Sequence, residues 1–288
     1  MNVTATPPPS QQTVSPSSAP APERQAGPLP VPVLAITNQK GGVGKTTTSV
    51  AAAVMLAREG VRVLLIDLDP QGNASSSLGV DRASLVRTTY DLMIGRAQAI
   101  DAARPSGRES LDIVATGSSL AAAEIELVDI GDRERQLQRA LVGVEGRYDL
   151  VMIDCPPSLG LLTVNALTAA HSVVIPIQCE FLPLEGLAQL QRTIGQVRQH
   201  LNPELSVTGV LMTMYDARTR LSAQVVEEVR RFYPKELFTT VIPRSIRLAE
   251  APSYGLSIAE YDPKSNGAVA YQRLASELIQ RLGLRVSR

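Results

Sequence analysis

Val33-Leu34-Ala35-Ile36-Thr37 runs without a break into Asn38-Gln39-Lys40-Gly41-Gly42-Val43-Gly44-Lys45-Thr46-Thr47, and a helical pattern, Thr47–Arg58, follows. An apolar strand, a glycine-rich turn and a helix start are the context in which such a turn holds phosphate. Glycines let the backbone wrap closely, so that several N–H groups point at one anion, and the helix N-terminus adds a favourable dipole. In that arrangement Lys45 reaches the β- and γ-phosphates and the Thr46 hydroxyl is placed to ligate Mg2+. The cofactor-binding stretch is therefore expected to be Lys40, Gly41, Gly42, Val43, Gly44, Lys45, Thr46 and Thr47. The general pattern asks for glycine where Gln39 stands; in its place a second lysine, Lys40, heads the loop. Folding gives no reason to put a like charge beside Lys45, so Lys40 reads as a second phosphate ligand, for its own or another subunit's phosphate.

Outward from that loop, further apolar runs recur at Val61–Ile66, Leu111–Val114, Leu150–Ile153, Val173–Ile177, Val207–Met212 and Phe238–Ile242. Most are continuous Val/Ile/Leu rather than alternating, as expected of strands covered on both faces. Helical patterns lie between them at Glu134–Val142, Leu161–Ala169, Leu184–His200 and Leu221–Phe232, and a last one spans about Ala268–Arg281. The alternation predicts an α/β fold, a doubly wound and mostly parallel sheet with helices on both faces. Two of the strands end in carboxylates. Asp67-Leu68-Asp69-Pro70-Gln71-Gly72-Asn73 follows one, and Asp154-Cys155-Pro156-Pro157 the other. Ligands in such folds sit beyond the carboxyl ends of the strands, so Asp69 is a candidate to orient an attacking water and Asp154 to hold metal; Asp67 reads equally well as a turn or cap aspartate.

The chain has 288 residues, 44% of them hydrophobic, enough for a sizeable core. Its 28 basic and 28 acidic residues exclude a uniformly basic nucleic-acid binder but not a local basic face. Val31–Gln189 holds 13 basic and 18 acidic residues, whereas Leu190 to the end holds 14 and 9. Residues 1–30 contain eight of the twenty prolines, with Ser and Ala clusters, and are expected to be a disordered tail ahead of an ATPase domain spanning 31–288. Two distant cysteines, Cys155 and Cys179, imply no disulfide framework, and with no leader pattern the expected setting is intracellular and reducing.

Taken together, Asn38–Thr47, Asp67–Asn73, Asp154–Ala169, Ile175–Gly186, Leu211–Thr219, Val241–Tyr254 and Tyr261–Gly267 resemble the deviant Walker A ATPases, specifically the ParA/Soj branch that partitions chromosomes and plasmids. The resemblance implies an ATP hydrolase using ATP and Mg2+, with a slow intrinsic rate. It implies an ATP-dependent homodimer in which Lys40 reaches the partner's nucleotide, Lys45 and Thr46 serve their own, Asp69 positions water, and Asp154 holds Mg2+. Pro243 and Ser245 would lie near the adenine, although the family often has Asn where Ser245 stands. The ATP dimer would bind DNA without sequence preference, with Arg218 matching a family arginine and Arg220, Arg244 and Arg247 as neighbours from the basic half. A ParB-like centromere-binding partner would stimulate hydrolysis and release the DNA, and the protein would be cytoplasmic and nucleoid-associated, with no membrane partner. Three alternatives stay open. A MinD-like ATPase would use the Leu274, Leu278, Ile279, Leu282 stripe on a membrane, an iron–sulfur reductase would use the cysteines, and a scaffold would bind nucleotide without hydrolysis.

Overall fold

The computed structural model describes Met1, residues 29–180 and residues 184–286. The expected tail falls almost wholly outside these residues, as do residues 181–183 within the Ile175–Gly186 stretch. The packed chain is under way at Leu29, which is buried, as is Val31.

Among the described residues eight strands form one sheet: β1 Val33–Ile36, β2 Val63–Asp67, β3 Arg104–Arg108, β4 Leu111–Val114, β5 Leu150–Asp154, β6 Ser172–Gln178, β7 Ser206–Tyr215 and β8 Leu237–Pro243. The order across the sheet is β3-β4-β2-β5-β1-β6-β7-β8. Every pairing is parallel except β3 with β4, which is antiparallel at one edge. The expected fold is therefore present, with β3 as an added edge hairpin. Pro105 is tolerated there because an edge strand leaves one row of N–H groups unpaired anyway.

Twelve helices accompany the strands among the described residues: α1 Lys45–Arg58, α2 Asn73–Ser77, α3 Thr89–Met93, α4 Ala99–Ala102, α5 Leu120–Glu126, α6 Gln136–Ala140, α7 Leu161–Ala169, α8 Leu184–His200, α9 Arg220–Phe232, α10 Ile246–Glu250, α11 Ile258–Tyr261 and α12 Asn266–Leu282. The helix expected over Glu134–Val142 is shorter, because Arg133–Arg135 is a 3-10 turn that hands over to α6.

Alternate residues of the central strands feed two cores, one on each face. Val33, Ala35, Leu64, Ile66, Val151 and Ile153 pack on the α6–α7–α8 side. Leu34, Ile36, Val63, Leu65, Leu150 and Met152 pack on the α1 and α12 side. Period two on a strand forces this division, and burial on both faces explains the unbroken apolar runs. Helix α1 is buried from Thr48 to Ala57, as an Ala-rich helix apolar all round must be. It packs against the sheet and against α12, to which Thr48 Oγ1 and the Tyr271 hydroxyl tie it at 3.1 Å. Helix α12 begins at Ser265, whose side chain accepts from the Ala268 N–H, a cap worth about 1 kcal/mol. From β1 the chain builds the sheet first to one side and then to the other, so the strand order switches direction there, and the crevice beyond the carboxyl end of β1 is where such sheets hold ligands.

Candidate nucleotide site

The loop from Thr37 to Gly44 leaves β1 at that crevice and enters α1 at Lys45. Gly42 and Gly44 have φ of 73° and 88°, a left-handed conformation that side chains resist. A Cβ on Gly41 or Gly42 would meet nothing within 4 Å, so the space in front of the loop is open for a ligand to approach its backbone. Three side chains hold the loop in shape. Buried Asn38 donates from Nδ2 to the Pro176 carbonyl of β6 at 2.7 Å and accepts the Lys40 N–H at 3.0 Å. Thr213 of β7 donates to the Val43 carbonyl at 2.8 Å. Lys45 Nζ crosses the loop to the Lys40 carbonyl at 3.1 Å. Burial holds the Lys45 pKa below its usual value, partly offset by nearby Asp154, Cys155 and Asp69. The two loop lysines thus divide, with the Lys45 ammonium buried and bonded across the loop and the Lys40 side chain exposed at its rim.

Asp67 and Asp154 end adjacent parallel strands in register. Asp154 is fully buried; Oδ1 accepts from Ser49 at 2.8 Å, and Oδ2 has no hydrogen-bond partner. Burial, followed by the charge of Asp67, pushes its carboxyl pKa up to about 7, while hydrogen bonds from Ser49 and Thr46 oppose the shift. An orphaned, buried carboxylate oxygen beside the Thr46 hydroxyl suits a hard cation with oxygen ligands. Asp67, by contrast, is satisfied: Oδ2 accepts from the Ser75 N–H at 2.8 Å and the Ser75 hydroxyl at 2.6 Å, so it fastens the start of α2. Asp69 is buried on the turn beyond, its Oδ1 accepting the Gln71 N–H at 2.9 Å.

A cavity of about 350 Å3 opens beside the loop, lined by Gly44, Thr47, Met214, Pro243, Ser245 and Tyr271 among others. It brings Pro243 and Ser245, distant in sequence, to the mouth of the phosphate loop. Met214 lines it with φ of 52°, a left-handed conformation unusual for a side chain of its size.

A family model described as an AAA domain matches residues 31–207. The sporulation initiation inhibitor protein Soj of Bacillus subtilis is 54% identical over 246 residues, which cover 85% of this chain and 97% of that protein. The chromosome partitioning protein ParA of Caulobacter vibrioides is 50% identical over 254 residues, 88% of this chain and 95% of that protein. The chain belongs to the ParA/Soj family of P-loop ATPases. Among solved structures, that of a cobyrinic acid a,c-diamide synthase from Mycobacterium smegmatis with bound ADP and magnesium superposes with a TM-score of 0.78. It is 40% identical, over 88% of this chain and 96% of that one.

The four arginines singled out for DNA in this ParA/Soj chain differ in their partners. Arg218 is exposed, its guanidinium held by Asp216 at 2.9 and 2.7 Å. Arg244 comes close to it, because its N–H donates to the Tyr215 carbonyl; its side chain pairs with Glu180 at 3.0 Å. Arg220 opens α9 and makes no ion pair among the described residues. Arg247 sits beside Glu250, Asp262 and the Tyr261 ring. Two features of the rival readings have structural explanations here. Leu274 and Leu278 of the α12 stripe are buried in the core, which is what that stripe serves, and among the described residues no helix is long and apolar enough to cross a membrane. Cys155 and Cys179 are buried free thiols, and burial pushes the Cys179 thiol pKa up to about 12. Pro176 and Thr213 lie within stretches that carry the family resemblance, but their bonds to the loop join a side chain to a backbone carbonyl and cannot be read from residue identity.

Proposed function

We propose that this ATPase drives DNA partition through a nucleotide-gated dimer. As a ParA/Soj protein it acts in ATP-dependent chromosome partitioning, with ATP and Mg2+ as its cofactors. The division of labour between the loop lysines carries the finer reading. Lys45, desolvated and fixed against the Lys40 carbonyl, is oriented for the phosphates of its own subunit's ATP. Lys40, exposed at the rim, is free to reach a nucleotide presented by a facing subunit. Backbone N–H groups from Gly41 to Thr46 would cradle the phosphates, and the cavity at Pro243 and Ser245 would take the base.

Thr46 and Asp154 would hold Mg2+, which supplies positive charge against the phosphate oxygens. Asp69, beyond the end of β2, would orient the attacking water. Two subunits closed on two ATP molecules would present Arg218, with Arg220, Arg244 and Arg247, to DNA phosphates without reading bases. With only 3% aromatic residues and no Trp, base stacking has little to work with. A ParB-like partner would accelerate hydrolysis, the dimer would part, and the DNA would be released, so that ATP and ADP bias two states of one switch.

Sedimentation in ATP and in ADP, each with and without nonspecific duplex DNA, tests this. A heavier species with ATP that co-sediments with DNA is expected. Identical sedimentation in both nucleotides would overturn the gated-dimer reading.

A further inference from the structure

Arg82 belongs to no motif, yet its guanidinium sits against the turn that carries Asp69. A small capped turn presents it: the Asp81 side chain accepts from the Ala83 N–H, and Arg82–Ser84 forms one 3-10 turn. From there Arg82 Nε donates to the Thr116 carbonyl at 2.9 Å, one terminal nitrogen donates to the Gln71 carbonyl at 2.9 Å, and the other reaches the Pro70 carbonyl at 3.5 Å. Gly72 makes room for this. A Cβ there would lie 2.5 Å from Arg82 Cζ, and the residue has φ of 67°.

The anchor behind the clamp is also bonded. Thr116 follows β4; its hydroxyl donates to the Asp67 carbonyl at 2.5 Å and its N–H to the Ser75 hydroxyl. Arg82 therefore bridges the fixed end of β2 and β4 to the outer side of the Asp69–Gly72 turn. On the inner side, the Gln71 N–H holds the Asp69 carboxylate. The planar fork of arginine can serve carbonyls in three directions at once, which a lysine ammonium on a flexible stem does less well. None of the hydrogen bonds of Arg82 reaches the phosphate loop.

We propose that Arg82 is a positioning residue for ATP hydrolysis, fixing the Asp69 turn and acting on turnover only through it. This rests on reading Asp69 as the water-orienting carboxylate. Single-turnover hydrolysis of radiolabelled ATP, with steady-state KM and melting temperature, should be measured for Arg82→Ala, Arg82→Lys, Asp69→Ala and the Arg82→Ala/Asp69→Ala double variant. Arg82→Ala is expected to slow hydrolysis about tenfold, the loss of one charge-assisted contact's worth of orientation, with KM within about twofold of wild type. Arg82→Lys should fall between the two, and the double variant should be no slower than Asp69→Ala.

Normal turnover in Arg82→Ala, or slowing in the double variant equal to the product of the single effects, would refute the positioning role while leaving Asp69 in place. Normal turnover in Asp69→Ala would instead sink the reading of Asp69, and the proposal with it. If Arg82→Ala does not fold, Arg82→Lys decides the matter: slowed hydrolysis at unchanged KM supports the role, and wild-type hydrolysis or a KM rise alone rejects it.

Discussion

The mouth of the phosphate loop and the arginine edge at the end of β7 both carry charge, but they hold it in opposite ways. At the loop, Lys45, Asp69 and Asp154 are almost wholly withdrawn from water. Burying such groups costs several kcal/mol each unless partners compensate, and one oxygen of Asp154 has none. At the edge, the Arg218 side chain is 87% exposed and paired with a carboxylate two residues away, an arrangement that solvent screens to little net stability. The first region carries an unfavourable charge constellation before any ligand arrives, which is how a preorganised site looks in isolation. The second costs the fold almost nothing and can be exchanged freely. Single changes should therefore act steeply at the loop and shallowly at the edge.

The steepest test is Lys45→Ala. It removes the only buried ammonium among the described residues, a charge that interacts with Asp154. ATP affinity by isothermal titration should fall by about a hundredfold or more. Wild-type affinity would erase the contrast between the two regions. Asp69→Ala comes next. Its turnover should drop by about a hundredfold while ATP binding persists, because the carboxylate lies outside the loop itself. The variant should accumulate as an ATP dimer on DNA, visible by sedimentation, and normal turnover would remove Asp69 from the reaction.

A smaller effect follows from the carboxylates. Burial raises Asp154 to about 7 and Asp67 to about 6, against about 3.9 in an unfolded chain. The folded protein thus holds these protons more tightly, so their contribution to stability is complete below about pH 4 and is lost as pH rises through 6 to 7. Without Mg2+ or nucleotide, the melting temperature should fall between about pH 5 and pH 8, and Asp154→Asn should flatten the upper part of that fall. Mg2+ with ATP should flatten it too, since a cation favours the charged carboxylate. A wild-type melting temperature that rises over this range would contradict the assignment.

What could be read from the sequence follows the same division. The phosphate loop is contiguous, and its glycine spacing states its own geometry, so Lys40–Thr47 needed no tertiary information. The seven expected strands appear because burial on both faces writes itself as unbroken Val/Ile/Leu. Strand β3 was hidden, since Pro105-Ser106-Gly107 reads as a turn and only pairing with β4 makes it a strand. The braces were hidden for a related reason. Asn38 to Pro176, Thr213 to Val43 and Arg82 to Gln71 are side chain–backbone bonds, and a backbone carbonyl leaves no trace in residue identity. The exposed arginines were visible as charge in the second half of the chain, but whether a surface charge meets a neighbour or a ligand depends on its rotamer.

The shallowest test lies at that edge and sharpens the comparison most. Arg218 both donates to Asp216 and is the leading candidate for a DNA phosphate, so the two acceptors compete for one guanidinium. The hydrogen bonds from Arg218 hold the Asp216 carboxyl down to about 2, so the pair is charged at any working pH. Arg218→Ala should weaken nonspecific DNA binding by several-fold and lower the slope of log affinity against log salt by about 1, the signature of one lost phosphate contact. ATP-dependent dimerisation should be unchanged, because Arg218 touches neither the loop nor the base cavity. Asp216→Asn should do the reverse: with the competitor neutralised, DNA binding strengthens at low salt, and the gain fades as salt screens it. If both variants bind DNA like wild type across the salt series, Arg218 is an ordinary surface ion pair and the DNA face lies on another side of the molecule.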